Sequence, residues 1–252
     1  MTRLTMGTLK RKLVQALPWS LWGPTFKLAT GASGRARAFR RTRVGKGTYV
    51  DPSIQIIGWQ HVRIGSQSTL SEGCWLNVNH RQSGIDCIEI GDHCHIGRRN
   101  FLSSGPSIRI ADFCFTGLDC HFLGCGHDTA APTVPYVSAG LTPGAPIAIG
   151  ANVWLTTAVT VHQGVEIGCG SVIGAHSVVL DNIPRFSIAF GNPCKVIKRF
   201  DFRNNCWIAA EEWRDDLDRY APTPQELVAR LQQRAKDLSP ALLSGSSRFG
   251  WL

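Results

Sequence analysis

A histidine between glycine and aspartate, Gly126-His127-Asp128, heads a proline-bearing stretch and is the residue of this chain best suited to move a proton. Neutral imidazole ordinarily titrates near neutrality, so it can take the proton of a hydroxyl that would otherwise be a poor nucleophile. His121 is a second candidate base on the same stretch. With eight histidines in the chain, most must be solvated or packing residues. The nine cysteines (Cys74, Cys87, Cys94, Cys114, Cys120, Cys125, Cys169, Cys194 and Cys206) are odd in number and contain no C-x-x-C pair. That usage suits a reducing compartment, where a thiol behaves as a small buried hydrophobe. The spacing gives no support to a cysteine nucleophile.

The elements that must position His127 come from a repeat. From Ile149 to Val179 an aliphatic residue falls on every sixth position: Ile149, Leu155, Val161, Ile167, Ile173 and Val179. Neither a helix of period 3.6 nor a strand of period 2 selects every sixth residue. Six residues make one short strand plus one corner, so three hexads close one coil of a parallel β-helix. The same phase runs upstream through Val44, Val50, Ile56; Ile64, Leu70, Leu76; Ile90, Ile96, Leu102; and Ile110, Thr116, Phe122. The fold class expected is therefore all-β, a parallel β-helix of about six coils with eighteen inward positions, of which only Thr116 is not strongly apolar. Burying one aliphatic side chain contributes about 1.5 to 3 kcal/mol, so the stack as a whole, and no single hexad, stabilises the domain.

Three segments follow. Residues 1–43 form a basic amphipathic arm, residues 44–199 the β-helix, and residues 200–252 a C-terminal helical extension. The β-helix carries two insertions, 77–88 with His80 and Arg81, and 123–146 with His127 and four prolines. Loops this long inside a compact domain are usually functional. In the extension, Thr223-Pro224-Gln225-Glu226 reads as a capping box opening a helix to about Asp237. A shorter helix is expected over 206–220 from Trp207, Ile208 and Trp213. Both are packing elements or caps on a β-helix end.

The net charge of +9 belongs to the arm. Residues 1–43 hold ten Lys and Arg and no acid, while the rest of the chain, with 17 basic and 18 acidic residues, sums to −1. The arm interleaves its charges with Leu13, Val14, Leu17, Trp19, Leu21, Trp22 and Phe26. It either packs on its own β-helix or rests on anionic lipid as a peripheral contact. The remainder offers no basic groove or aromatic platform, so nucleic acid is not an expected partner. No stretch approaches the roughly 20 apolar residues of a membrane-spanning helix. Pro18 and Gln15 interrupt the N-terminal apolar run, which argues against a signal peptide. A cytoplasmic protein, with a peripheral place at the inner membrane face, is the expected localisation.

Several runs carry a resemblance: Ile149-Gly-Ala-Asn-Val-Trp154, Gly164-Val-Glu-Ile-Gly168, Val172-Ile-Gly-Ala175, Ser177-Val-Val179, Ile183-Pro184 and Gly191-Asn-Pro-Cys-Lys-Val-Ile-Lys198. Over about residues 44–199 the chain resembles the hexapeptide-repeat acyltransferases. It is most similar to the branch of galactoside and maltose O-acetyltransferases and of exopolysaccharide and colanic-acid-type acetyltransferases. That resemblance implies a left-handed β-helix, a homotrimer with sites between subunits, and acetyl-CoA as co-substrate without a metal. The acceptor it implies is a saccharide hydroxyl, in surface polysaccharide synthesis. It makes His127 the general base, reached through Ile110-Ala-Asp112 and Gly126. On the residues' own positions, His121, which should point outward beside inward Phe122, together with Asn100 and Asp128, is a candidate to contact the acceptor. Thr157, Ala158 and Ala175 match positions that lay pantetheine along the outer strand face, and Lys195, Lys198 and Arg199 are suitably placed to hold the CoA phosphates by charge-assisted hydrogen bonds. The chain departs from the pattern at Thr156, where glycine is usual, and at Leu180-Asp181, where Thr-Lys is usual.

Two other classes fit such a helix. A trimeric zinc hydratase of the γ-carbonic-anhydrase type needs three histidines on one metal with an open position. His121 and His127 lie one hexad apart, hence on different faces of a coil, and His93 and His95 do not complete the set. A non-catalytic β-helix scaffold is the other; it would neither bind acetyl-CoA nor lose turnover on His127→Ala.

Overall fold

The computed structural model describes residues 42–81 and 85–235. The chain divides into two compact units, 1–42 and 43–252, and the account below concerns the second. Apart from Thr42 and Arg43, the basic arm and its lipid contact lie outside the described residues, as does the extension beyond Ala235.

Short parallel strands stack into a three-faced prism. The first face holds Val62–Ile64, Ile88–Ile90, Ile108–Ile110, Ile147–Ile149 and Glu166–Ile167. The second begins at Tyr49–Val50 and rises through His95–Ile96, Phe115–Thr116, Trp154–Leu155 and Val172–Ile173 to Ser187–Gly191. The third runs from Gln55–Ile57 through Trp75–Asn77, Phe101–Ser103, His121–Leu123 and Thr160–His162 to Val178–Val179.

The inward residues are those of the hexad phase, in register. On the second face Val50, Leu70, Ile96, Thr116, Leu155, Ile173 and Ala189 pair in succession. On the third, Ile56, Leu76, Leu102, Phe122, Val161 and Val179 do the same. On the first, bridges at Val44↔Ile64 and Ile167↔Ile183 extend the strand pairs at both ends. Six coils are complete, and Ile183 and Ala189 begin a seventh.

Two local details show why the repeat tolerates its exceptions. Thr116 is buried among hydrophobes, and its Oγ1 accepts the Gly97 N–H at 3.0 Å, so its polar atom is satisfied inside the wall. Gly150 sits where a Cβ would lie 2.5 Å from the Cys169 nitrogen, so the coil above can approach only because no side chain is there.

After Ala189 the parallel stack stops. Cys194–Asp201 turns back antiparallel to Ser187–Gly191, and Cys206–Ala209 pairs antiparallel with it in turn. The helix expected over 206–220 is therefore replaced by that strand and by two 3-10 turns, Ala210–Glu212 and Asp215–Tyr220. The reason is tertiary: Trp207 lies across from Phe200, with ring centroids 5.1 Å apart, and β-pairing decides the segment. The helix α1 (Pro224–Ala235) does form, and its box is reciprocal: Thr223 N–H donates to Glu226 Oε2 at 2.8 Å and Glu226 N–H to Thr223 Oγ1 at 3.2 Å. Leu227 of α1 packs with Ala151, Cys169 and Phe186 on the coil corners. Arg185 holds the preceding 3-10 turn through Asp218 and the Pro222 carbonyl.

Candidate active site

The fourth coil places the histidines. His121 opens the strand His121–Leu123, half-buried on the outer surface between Phe101 and Thr160, while Phe122 points inward. After Leu123 the chain leaves the prism, and it rejoins at Ile147, whose N–H donates to Ser107 O at 2.9 Å.

Between these points the insertion folds on itself as an antiparallel stem. His127 bridges Leu141, Asp128 N–H donates to Gly140 O, and Thr142 N–H donates to Gly126 O at 2.8 Å. Its tip, around the 3-10 turn Tyr136–Ser138, exposes Val137 to 87%. The His127 ring is exposed and makes no hydrogen bond among the described residues, so both nitrogens are open to an incoming group. Asp128 serves the loop: its Oδ1 accepts the Ala130 N–H at 2.9 Å. From the first insertion His80 Nε2 reaches the Thr142 carbonyl at 3.0 Å. A carbonyl only accepts, so that nitrogen carries a proton, and the ring ties the two insertions together.

Asn100 does not face an acceptor. It is fully buried, and its Nδ2 donates to Gly97 O and Gly117 O, both at 2.8 Å, lacing successive coils. Its assignment to the acceptor is corrected on that ground. Asn79, which sequence reasoning missed, instead shapes the surface beside the stem: its Oδ1 accepts Ser103 Oγ at 2.9 Å and Gly105 N–H at 3.0 Å. The signal for Ser103 was available, since it follows inward Leu102 and must point outward.

Thr157, Ala158 and Ala175 share one stacked corner between the second and third faces. Thr157 and Ala175 are exposed, Ala158 sits at φ 56, and Thr157 O accepts the His176 N–H at 2.9 Å. The hydroxyl of Thr156 turns into the wall, donating to Ile173 O at 2.8 Å, so the residue replacing the usual glycine does not obstruct that corner by hydrogen bonding outward.

The basic group at the chain's return splits. Lys195 and Lys198 are exposed, Lys195 lying 3.4 Å from Asp181. Arg199 is corrected: its guanidinium lies 3.8 Å over the Trp213 ring and 3.5 Å from Asp218, with its side chain only 14% exposed. Burial holds its pKa below the usual arginine value, and it is spent on packing the C-terminal turns. On a strand, neighbours 198 and 199 must point to opposite sides, which is why one lysine stays free while the arginine is committed.

The cysteines are all free thiols, and seven are buried. Burial pushes the Cys74 and Cys120 thiols up to about 11 and raises the Cys114 thiol as well, the opposite of what a nucleophile needs. A thiol reagent on the native protein should therefore label exposed Cys206 quickly and leave Cys74, Cys114 and Cys120 intact until denaturant is added. Fast native-state labelling of Cys120, read by mass spectrometry of tryptic peptides, would contradict this. Among the described residues no group of three His, Cys, Asp or Glu side chains is arranged to hold a metal ion. None of their helices is long and apolar enough to cross a membrane.

The three-faced prism is a left-handed parallel β-helix, opposite in hand to the usual crossover between parallel strands. In this fold the chain is similar to AntD, an N-acyltransferase from Bacillus cereus, in complex with dTDP and 3-hydroxybutyryl-CoA. The TM-score is 0.58 at 17% identity, over 82% of this chain and 97% of that one. In sequence it is 30% identical over 151 residues to a Mycobacterium tuberculosis protein named a probable acetyltransferase, a match covering 59% of this chain and 49% of the relative. It is 53% identical over 62 residues to a Staphylococcus aureus protein provisionally named an acetyltransferase, covering 25% and 31%. The chain thus spans about half or less of the length of these curated relatives. No family model matches it.

Proposed function

We propose that this chain is an acetyl-CoA-dependent O-acetyltransferase that passes an acetyl group directly to a saccharide hydroxyl, with His127 as general base. The observation that carries the reading is the exposed His127 ring, without a hydrogen bond among the described residues, on a stem projecting from a left-handed β-helix. The relatives named as acetyltransferases support the reaction class. The AntD complexes, with 3-hydroxybutyryl-CoA and with dTDP-4-amino-4,6-dideoxyglucose, support a CoA donor and a sugar-bearing acceptor.

His127 takes the acceptor proton as the hydroxyl oxygen bonds to the thioester carbonyl carbon, and returns it to the departing CoA sulfur as the C–S bond breaks. No covalent enzyme intermediate is needed, because holding both substrates together supplies much of the rate. The corner at Thr157, Ala158 and Ala175 lets the pantetheine approach the backbone, and Lys195 and Lys198 hold the CoA phosphates. His121 and Asp128 border the acceptor.

The working unit is a homotrimer with sites between subunits. Support comes from the exposed rings of Tyr49, Phe115 and Trp154 on the second face and from the apolar stem tip, surfaces of the kind that mark association. Surface polysaccharide synthesis in the cytoplasm, with the 1–43 arm at the inner membrane face, is the setting that the arm's basic and apolar residues fit best.

The test is CoA thiol release from acetyl-CoA against mono- and oligosaccharides and an amino sugar. Release that depends on a hydroxyl-only saccharide is expected. Release with the amino sugar alone would turn the reading to N-acylation, and no release with any acceptor would overturn it.

A further inference from the structure

The two insertions enclose something that His127 alone does not explain. Between them lies a cavity of about 660 Å³ lined by His80, Cys87, Ser107, Arg109, Leu141 and Pro143, among others. One wall is Leu141, the bridge partner of His127, and another is His80, whose ring holds the stem at Thr142. Its lining combines apolar side chains with a few polar groups, the mixture from which ligand sites are built.

The polar groups have one character. Arg109 lies between inward Ile108 and Ile110, so strand alternation turns it outward. Its Nε donates to Glu89 at 3.2 Å, which leaves both terminal amino groups without a partner among the described residues. Ser107 is only 8% exposed, yet its hydroxyl makes no hydrogen bond among the described residues. That hydroxyl is not one of the buried polar atoms left without a partner, so it is accessible to an incoming group. No acidic side chain lines the cavity. A guanidinium fork beside an unengaged hydroxyl matches the geometry of an oxyanion.

We propose that this cavity binds an anionic group carried by the acceptor, a phosphate or a carboxylate, and that Arg109 selects for it. The inference rests on the acyl-transfer reading only in calling the ligand an acceptor; the anion site itself is defined by the cavity. It narrows the substrate class from saccharides in general to acidic or phosphorylated ones.

Calorimetric titration tests the site apart from turnover. The probes are glucose 1-phosphate, glucuronate and methyl glucoside, on the full chain and on Arg109→Gln and Arg109→Lys. The expected result is tighter binding of an anionic probe than of the neutral one. Arg109→Gln should weaken the anionic probe about ten- to hundredfold, with Arg109→Lys between the two because it keeps charge but loses the fork. Preference for glucose 1-phosphate assigns the anion as a phosphate, and preference for glucuronate as a carboxylate. No binding of either anion, or equal weakening of neutral and anionic probes by Arg109→Gln, would overturn the proposal. Thiol release with the same probes separates the two claims. Arg109-dependent binding without CoA release removes the transferase reading and leaves the site, whereas release indifferent to Arg109 removes the site and leaves the transferase.

Discussion

His127→Ala should lower kcat/KM for acetyl transfer by at least about a hundredfold, the lower range of what a positioned general base contributes. The expectation is sharp because the residue is functionally exposed and structurally idle. Its ring has no hydrogen bond to lose among the described residues, and the stem is held by backbone contacts, His127 to Leu141 and Thr142 to Gly126, that alanine retains. Stability should therefore move by no more than about 0.5 kcal/mol. The pairing of a large kinetic loss with an unchanged melting curve is what separates a base from a scaffold residue. A mutant that keeps more than a tenth of wild-type turnover would remove His127 from the chemistry and direct attention to His121.

The largest structural effect is expected from Phe122→Ala. Phe122 is the bulkiest fully buried side chain among the described residues, stacked between Leu102 below and Val161 above, in the coil from which the His127 stem departs. Removing a buried aromatic costs about 3 to 5 kcal/mol, since the transfer gain is lost and the rigid coils cannot close the space. For a domain of this size that is on the order of 10 °C in Tm. The adjacent residue, His121, and the stem are carried by the same strand, so turnover should fall with stability, unlike in His127→Ala. A thermal shift under 2 °C, near the effect of about 1 kcal/mol, would show that the coil walls collapse onto the gap.

Much of this architecture was legible because the hexad is a local rule with a global consequence. The phase traced from Val44 to Val179 is the observed inward register. Past Ala189 no period exists to read. The strand at Cys206 exists because Trp207 meets Phe200, a pairing that spacing along the chain does not display. The site divides in the same way. His127 could be located because the repeat shows where the chain leaves the prism. Asn100 could not be judged, since its inward amide depends on the corner conformation beside Arg99 at φ 57. The cavity at Arg109 was hidden because its walls meet through His80 and Thr142, which are 62 residues apart.

The reversal of direction after Ala189 has a consequence for the molecule among its own copies. A column of parallel rungs ends in a row of open amides and carbonyls, the template from which fibrils elongate. On the second face this row is met by Cys194–Asp201 running the opposite way, with a bulge between Ile188 and Ala189. Cys206–Ala209 pairs antiparallel beyond it, so a further copy arriving rung-first meets that short strand and not the parallel rung it would need to extend. The hairpin thus acts as a terminator of polymerisation on that face, which lets a fold built from self-similar steps stay discrete.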